Sequence, residues 1–228
     1  MRIQHVVFAA LVSYWSSTSL AESTAAEERL PLPTTACSYA GNFNQARFLS
    51  GIDEPIQTEG HFYFHCEYGV VWATQKPVSD ALIVHRNGRG LQVNADQGAQ
   101  KLTSRQSKFL GQLLTTLMSG DQAALQDLFQ ISALDTAHRY RLTPRQRKLK
   151  RGIQYLVLDL AQLQVGLDQN DNTPSGASLG IEILDRNHQT TRIAATQQQQ
   201  FEPTEHAASQ CQSLANLTDE YCDLLFGL

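Results

Sequence analysis

The feature that most restricts the fold is the stretch from residue 60 to residue 77, GHFYFHCEYGVVWATQKP. Phe62 and Phe64 alternate with histidine and tyrosine, and after a glycine-containing turn Val70 and Trp72 alternate in the same way. Side chains two residues apart on a β-strand lie on one face, so this pattern predicts a hairpin with one aromatic and aliphatic face. That face has no carboxylate, serine or lysine. It therefore favours an ordinary core or an apolar ligand over catalysis.

The N-terminus predicts export. A positively charged start is followed by an apolar run over Val6–Tyr14 and by a small-x-small sequence that ends at Ala21. This is the organisation of a signal peptide. We therefore expect a signal peptide over 1–21 with cleavage after Ala21, a flexible leader over 22–40 and a single domain over 41–228. An N-terminal anchor helix is the alternative, although the apolar run is short for a membrane span.

Strand signals surround the hairpin and return after a helical segment. Asn87-Gly88 is typical of a two-residue hairpin turn and extends the first half into a meander of about five antiparallel strands. The period then changes, and apolar residues at helical spacing predict two helices, the first ended by Gly120 and the second capped by Asp121. The fold class is therefore α+β and mainly β. The strand patterns cover residues 41–49, 58–66, 70–75, 80–86 and 90–94 before the helices and 136–142, 152–160, 177–184 and 189–195 after them.

Four cysteines allow three pairings, and an exported chain is expected to oxidise them. If strands 41–49 and 58–66 pair as a hairpin, Cys66 lies opposite about residue 42, and Cys37 is within its reach. Cys211 and Cys222 would be about 16 Å apart on one continuous helix, which is too far for a bond. A chain break before a second helix capped by Thr218 would bring them together. We therefore predict the disulfides Cys37–Cys66 and Cys211–Cys222.

Composition and motifs argue against several functions. The formal net charge of -4 gives no reason to expect a nucleic-acid partner. The sequence has no zinc-binding, Walker A or nucleophile-elbow motif, and His61 and His65 would be about 13 Å apart on one strand, so no metal, cofactor or catalytic residue is predicted. Seven cations lie within residues 139–151. Such a run is typical of a solvated edge or, alternatively, of a dock for an anionic membrane surface or an acidic partner.

Several short sequences resemble the periplasmic lipoprotein carriers of the LolA type, in a divergent branch. They are Phe43-x-Gln45-x-Arg47-x-Leu49, Glu59-Gly60-x-Phe62, Gly69-x-x-Trp72-x-x-x-x-Pro77, Leu117-Met118-Ser119-Gly120-Asp121 and Leu142-Thr143-Pro144, and the resemblance extends over residues 41–195. The family implies an unclosed, strongly curved antiparallel sheet, a half-barrel, with helices over its concave face. It also implies a monomer in the periplasm, an inner-membrane transporter as donor and an outer-membrane acceptor. One departure is Cys66, which stands where better-studied carriers have an arginine that helps to gate the cavity.

This resemblance implies a lipid-binding cavity for the acyl chains of lipoproteins or for another lipid. Its expected lining is Phe62, Phe64, Val70, Trp72, Leu82 and Val84 from the sheet and Leu113, Leu114, Leu117, Leu125 and Phe129 from the helices. Two alternatives remain open. One is a non-carrier interaction or assembly module of the cell envelope, with the same sheet fully packed. The other is a secreted hydrolase with an unrecognised site.

Overall fold

The computed structural model describes residues 30, 32, 37–94, 96–102, 105–160, 178–202 and 206–227, with the backbone alone over 105–110. The predicted signal peptide, its cleavage site and the polar loop after residue 167 lie outside these residues. Within them, no helix combines the length and apolar character that a membrane crossing requires.

The described residues form eleven strands and five helices. The strands are β1 Ser38–Phe48, β2 Ile56–His65, β3 Gly69–Lys76, β4 Asp80–His85, β5 Gly90–Asn94, β6 Gly98–Lys101, β7 Phe129–Ala133, β8 Arg139–Pro144, β9 Ile153–Asp159, β10 Ser178–Asp185 and β11 Thr190–Gln200. The helices are α1 Arg105–Met118, α2 Gln122–Leu128, α3 Arg147–Lys150, α4 Ala207–Gln212 and α5 Asp219–Phe226. The predicted fold class, α+β and mainly β, is confirmed.

All of these strands belong to one antiparallel sheet in the order β6-β5-β4-β3-β2-β1-β11-β10-β9-β8-β7. Two meanders compose it, β1–β6 and β7–β11, and they are joined by pairing of β1 with β11. The strands β6 and β7 are the two edges, so the sheet is not closed into a barrel. The chain leaves at one edge and re-enters at the other, and the segment between them therefore has to cross a face of the sheet.

That crossing segment contains α1 and α2, which we call the lid. The lid packs on the face that carries Phe62 and Trp72, here called the lid face. Its local signals are confirmed: Gly120 has the positive φ of 64° that suits the end of a helix, and the Asp121 carboxylate accepts a hydrogen bond from the backbone N–H of Ala124 at 3.0 Å.

The opposite face of the sheet, the outer face, is covered by α4 and α5. Its cluster combines Tyr63, Val71 and Ile83 from the sheet with Cys211 and Leu225 from these helices. The predicted break between the two helices is present, with Thr218 at the N-cap position of α5. That these helices cover a second apolar face was not predicted from the sequence. The sheet is apolar on both faces along β2–β4, and each face needs its own cover.

Three boundaries differ from the sequence-based expectation. Strand β1 begins at Ser38, inside the segment expected to be a flexible leader, because its first residues pair with the end of β2. The polar strand β6 has no apolar pattern, and it forms by pairing with β5. Phe129, expected on the second lid helix, is the first residue of β7 and lies opposite Pro144 of β8.

Candidate functional site

The centre of the lid face is a stack of aromatic rings. The rings of Phe43 and Trp72 are stacked with centroids 4.0 Å apart, and Phe62 lies on the same indole at 5.7 Å. Tyr39 meets Phe62 edge to face at 6.0 Å. Each of these four side chains is at most 6% exposed. Because aromatic rings bury large apolar areas, this stack supplies much of the apolar surface that β1–β3 present to the lid.

The stack depends on two glycines of neighbouring strands. Gly41 lies opposite Phe62 and Gly60 lies opposite Phe43 in the register of β1 and β2. A Cβ atom at either glycine would lie 2.0 Å from a backbone carbonyl oxygen of the neighbouring strand and 2.8 Å from the Cζ atom of the facing ring. The neighbouring backbone and the facing ring together occupy the space that a side chain would need.

The lid contributes leucines to the same cluster. Leu113, Leu114, Leu117 and Leu125 are between 0% and 3% exposed. The Tyr39 hydroxyl donates a hydrogen bond to the Met118 carbonyl at 2.8 Å, which fastens the end of α1 to β1. Burial raises the pKa of Tyr39 well above its usual value, so the phenol remains protonated and able to donate.

The structure brings the expected lining residues together. Phe62, Phe64, Val70, Trp72, Val84, Leu113, Leu114, Leu117, Leu125 and Phe129 belong to one buried cluster, and Leu82 packs against it, partly buried. Phe129 reaches the cluster from strand β7 instead of from the lid helix. These side chains are in contact with one another, so a ligand could enter between sheet and lid only if the lid moved.

The cluster is larger than the sequence analysis expected. Leu156 and Leu158 of β9, Ile181 of β10 and Ile193 of β11 extend it across the second meander. Their period-two alternation was visible in the sequence, but it did not reveal which face they share with Phe62 and Trp72. Leu30, from the segment expected to be a flexible leader, is also buried in the cluster, and no pattern in the sequence indicated this.

Both disulfides join the predicted cysteines. Cys37–Cys66 links the start of β1 to the end of β2 with the Cα atoms 4.8 Å apart, and Cys211–Cys222 links α4 to α5 at 5.8 Å. Among the described residues, the sulfur atoms of the first bridge and a His65 ring nitrogen lie within 4.8 Å of one another. Both sulfurs are already bonded, so this group offers no thiolate to a metal ion.

The outer face also carries a buried polar network. The Ser38 hydroxyl lies 2.6 Å from Gln210 Oε1 and 3.0 Å from the Tyr63 hydroxyl. Burial raises the pKa of Tyr63 to about 12. A cavity of about 400 Å³ lies at one end of this side, lined by Glu67, Arg86 and other residues of two hairpin turns and α5. Charged side chains in the lining make it unsuited to an acyl chain.

Three comparisons with known proteins were made. The sequence profile of the family described as outer membrane lipoprotein carrier protein LolA matches residues 34–208. A solved structure that this chain resembles is a LolA superfamily protein from Nitrosomonas europaea, at 12% sequence identity and a TM-score of 0.38, with 77% of this chain and 90% of that chain covered. A search of curated proteins found no significant match.

Proposed function

The chain belongs to the LolA family of outer membrane lipoprotein carriers, and on this premise we propose that it is a periplasmic carrier for the acyl chains of a lipoprotein or of a related lipid. The family is one of periplasmic carriers and not of enzymes. The proposed role is to take a lipid-modified cargo at the inner membrane, shield its chains and release it towards the outer membrane. The proposed donor is an inner-membrane transporter, and the proposed recipient is an outer-membrane acceptor.

The observation that carries this proposal is the continuous apolar cluster between the lid face and the lid. It runs from β4 across β1 to β7, and it joins the aromatic stack to the lid leucines. Burying a hydrocarbon chain gains about 0.8 kcal/mol for each CH₂ group, so ten buried groups contribute roughly 8 kcal/mol before ordering costs. No specific polar contact is needed for binding of that strength.

Binding of an acyl chain would replace contacts between the lid and the sheet and would not fill an existing cavity. In the structure the lid leucines and the sheet aromatics are packed on one another, as expected for a protein interior. An entering acyl chain would take the place of the lid on Phe62, Phe64 and Trp72. The free energy of cargo binding is then offset by the loss of lid contacts, which makes both loading and release feasible.

The test uses Trp72 as the reporter. The chain has two tryptophans, and the other, Trp15, lies in the predicted signal peptide. We expect a fatty acid that carries a dansyl group to receive energy from Trp72 and to bind saturably to the exported form of the protein. Native mass spectrometry of protein isolated from cells, followed by lipid extraction, would identify the natural cargo.

A matched pair of variants locates the binding site. Leu82 and Leu91 are both partly buried leucines, on adjacent strands, but Leu82 packs on the lid-face cluster and Leu91 on the outer-face cluster. We expect Leu82→Asp to weaken dansyl fatty-acid binding at least roughly tenfold, because a charge in an apolar site is costly. Leu91→Asp should leave binding unchanged, with folding of both variants checked by circular dichroism. Equal losses in both, or no saturable binding by the parent protein, would contradict the proposal.

The second candidate is a non-carrier interaction or assembly module of the cell envelope. The tight packing of the lid on the sheet favours it, since a permanently closed interior needs no ligand. This candidate predicts a protein that copurifies without lipid and takes up no added fatty acid while it binds another envelope protein.

A further inference from the structure

Five exposed cations form a single patch at one end of the sheet. Arg147, Lys148, Lys150 and Arg151 belong to α3 or follow it directly, and Arg186 lies in the turn between β10 and β11. Arg186 is held beside α3, because its backbone N–H donates to the Gly152 carbonyl at 3.1 Å and its Nε donates to the Lys150 carbonyl at 2.8 Å. We call these five residues the basic patch.

The charge of the patch is not compensated locally. Residues 139–151 contain seven of the chain's 18 cations and no carboxylate, although the net charge of the chain is -4. In the part of the chain that the structure describes, none of the five side chains forms an ion pair. The nearest acidic residue in sequence to Arg186 is Asp185, whose carboxylate accepts hydrogen bonds from the backbone N–H groups of Asn187 and Gln189.

The register of the sheet places other features at the same end. Asp185 lies opposite Ile153, Phe48 lies opposite Thr190 and Arg47 opposite Ile56, so the turn between β1 and β2 is at the end that holds α3. The turn between β3 and β4 is at this end as well. Three aliphatic side chains are exposed there: Ile52 at 52%, Ile56 at 45% and Val78 at 70%. Two carboxylates, Asp53 and Glu54, lie in the β1–β2 turn, which neighbours the β10–β11 turn of the basic patch because β1 pairs with β11.

The lid also ends beside the basic patch. The backbone N–H of Arg145, two residues before α3, donates to the Leu128 carbonyl at 2.8 Å. The guanidinium Nε of Arg145 donates to the Phe129 carbonyl at 3.1 Å. The junction of α2 and β7 is therefore tied to the chain segment that leads into α3.

From this arrangement we infer that the end of the sheet with the basic patch docks on the anionic head groups of a phospholipid bilayer. The inference rests on the proposed function for its purpose: a docked protein would hold the end of its lid at the surface where acyl chains enter or leave. Each lysine or arginine held near an anionic bilayer strengthens binding roughly fivefold, and head groups can rearrange around cations that lie on two separate turns.

An acidic protein partner is the less favoured occupant. Stable protein interfaces bury about 800 Å² on each partner and are centred on aromatic or arginine anchors in shaped pockets. The exposed large apolar side chains that the structure describes at this end are aliphatic and dispersed over two turns, and Tyr68, the exposed aromatic, lies at the other end. Dispersed aliphatic side chains beside cations suit the interfacial layer of a bilayer better.

The test compares two double charge reversals in the exported protein. Lys148→Glu with Lys150→Glu alters the basic patch, and Arg89→Glu with Lys101→Glu makes the same change of charge at the opposite end of the sheet. Binding is measured by sedimentation with vesicles of phosphatidylglycerol in phosphatidylcholine and with vesicles of phosphatidylcholine alone. We expect salt-sensitive binding to the anionic vesicles only, at least about 25-fold weaker for the patch variant and within about threefold of the parent for the control.

Two results would overturn the inference. The first is absence of binding to the anionic vesicles. If the protein then captures an acidic envelope protein in a salt-sensitive way, the basic patch would be assigned to a protein partner. Equal weakening by both double variants would attribute binding to the net charge of the protein instead of to the basic patch.

The dansyl fatty-acid assay, run without vesicles, separates this inference from the carrier proposal. The patch variant should bind the fatty acid as the parent protein does. If the parent protein binds vesicles but not the fatty acid, the carrier proposal is rejected and the membrane-docking inference stands.

Discussion

The contact between α1 and β4 offers a direct test of how the lid packs. A Cβ atom placed on Gly111 would lie 2.5 Å from Cγ2 and 3.1 Å from Cγ1 of Val84. Val84 is branched at Cβ and 4% exposed, so it cannot turn away easily. The change Gly111→Ala should therefore cost about 1–3 kcal/mol by overpacking, against a gain of about 1 kcal/mol in helix propensity.

Removing the obstructing methyl groups should reverse the sign of this effect. Val84→Ala alone is expected to cost about 2–3 kcal/mol, because it empties a buried site. In that background Gly111→Ala meets no methyl group, and it should stabilise the protein by about 1 kcal/mol through helix propensity. The two changes are thus expected to couple favourably by about 1–3 kcal/mol.

The assay is urea unfolding of the four proteins in the cycle, followed by circular dichroism, with m-values compared to check that the unfolded states are alike. Additive effects within about 0.5 kcal/mol would refute the argument, since they would mean that α1 does not press on β4 at this point. The single change Gly111→Ala should also strengthen binding of the dansyl fatty acid, because it weakens a contact that cargo has to displace.

Two further predictions concern the stability of the fold. Replacing Cys211 and Cys222 by serine opens a bridge between residues 11 apart in sequence and should lower the free energy of unfolding by about 3 kcal/mol, measured by urea unfolding; an unchanged midpoint would contradict it. Burial lowers the pKa of His65 below the usual 6.5. Burial and the positive charge of Arg89 lower the pKa of His85 in the same direction. Below about pH 6.5 the unfolded chain therefore binds more protons than the folded protein, so stability should be full above that pH and fall as the pH drops below it. Replacing both histidines by glutamine should flatten this dependence, and a slope that persists would assign it to carboxylates.

The period-two pattern of the first hairpin was a reliable guide because alternation is a property of the local backbone. It predicted that Phe62, Phe64 and Trp72 share a face and that Tyr63 and Val71 lie on the other, and the two buried clusters divide in that way. Both cysteine pairs followed from similarly local arguments, a hairpin in one case and the length of a helix in the other. The predicted register of the hairpin was wrong, because Asn42 lies opposite His61; Ser38 lies opposite His65, which places Cys66 beside Cys37.

Phe129 was misassigned and strand β6 was missed in the sequence analysis for the same reason. Phe129 follows Leu125 and Leu128 at a spacing that suits a helix, but its backbone pairs with β8 and begins a strand. Strand β6 is exposed at all four residues, so no apolar pattern could indicate it. In both cases the conformation is decided by backbone hydrogen bonds to another strand. Such bonds depend little on the type of the residue that forms them, so the sequence pattern does not reveal them.

The sequence by itself determined which side chains share a face, where the first lid helix ends and the second begins, and which cysteines can meet, because each depends on distances within one or two elements. Only the tertiary structure decided that β1 pairs with β11, that one helical pair covers the lid face and another the outer face, and that cations from two separate turns meet in a basic patch. Hydrophobic burial has no direction, so an apolar stripe indicates that it will be covered but not by what.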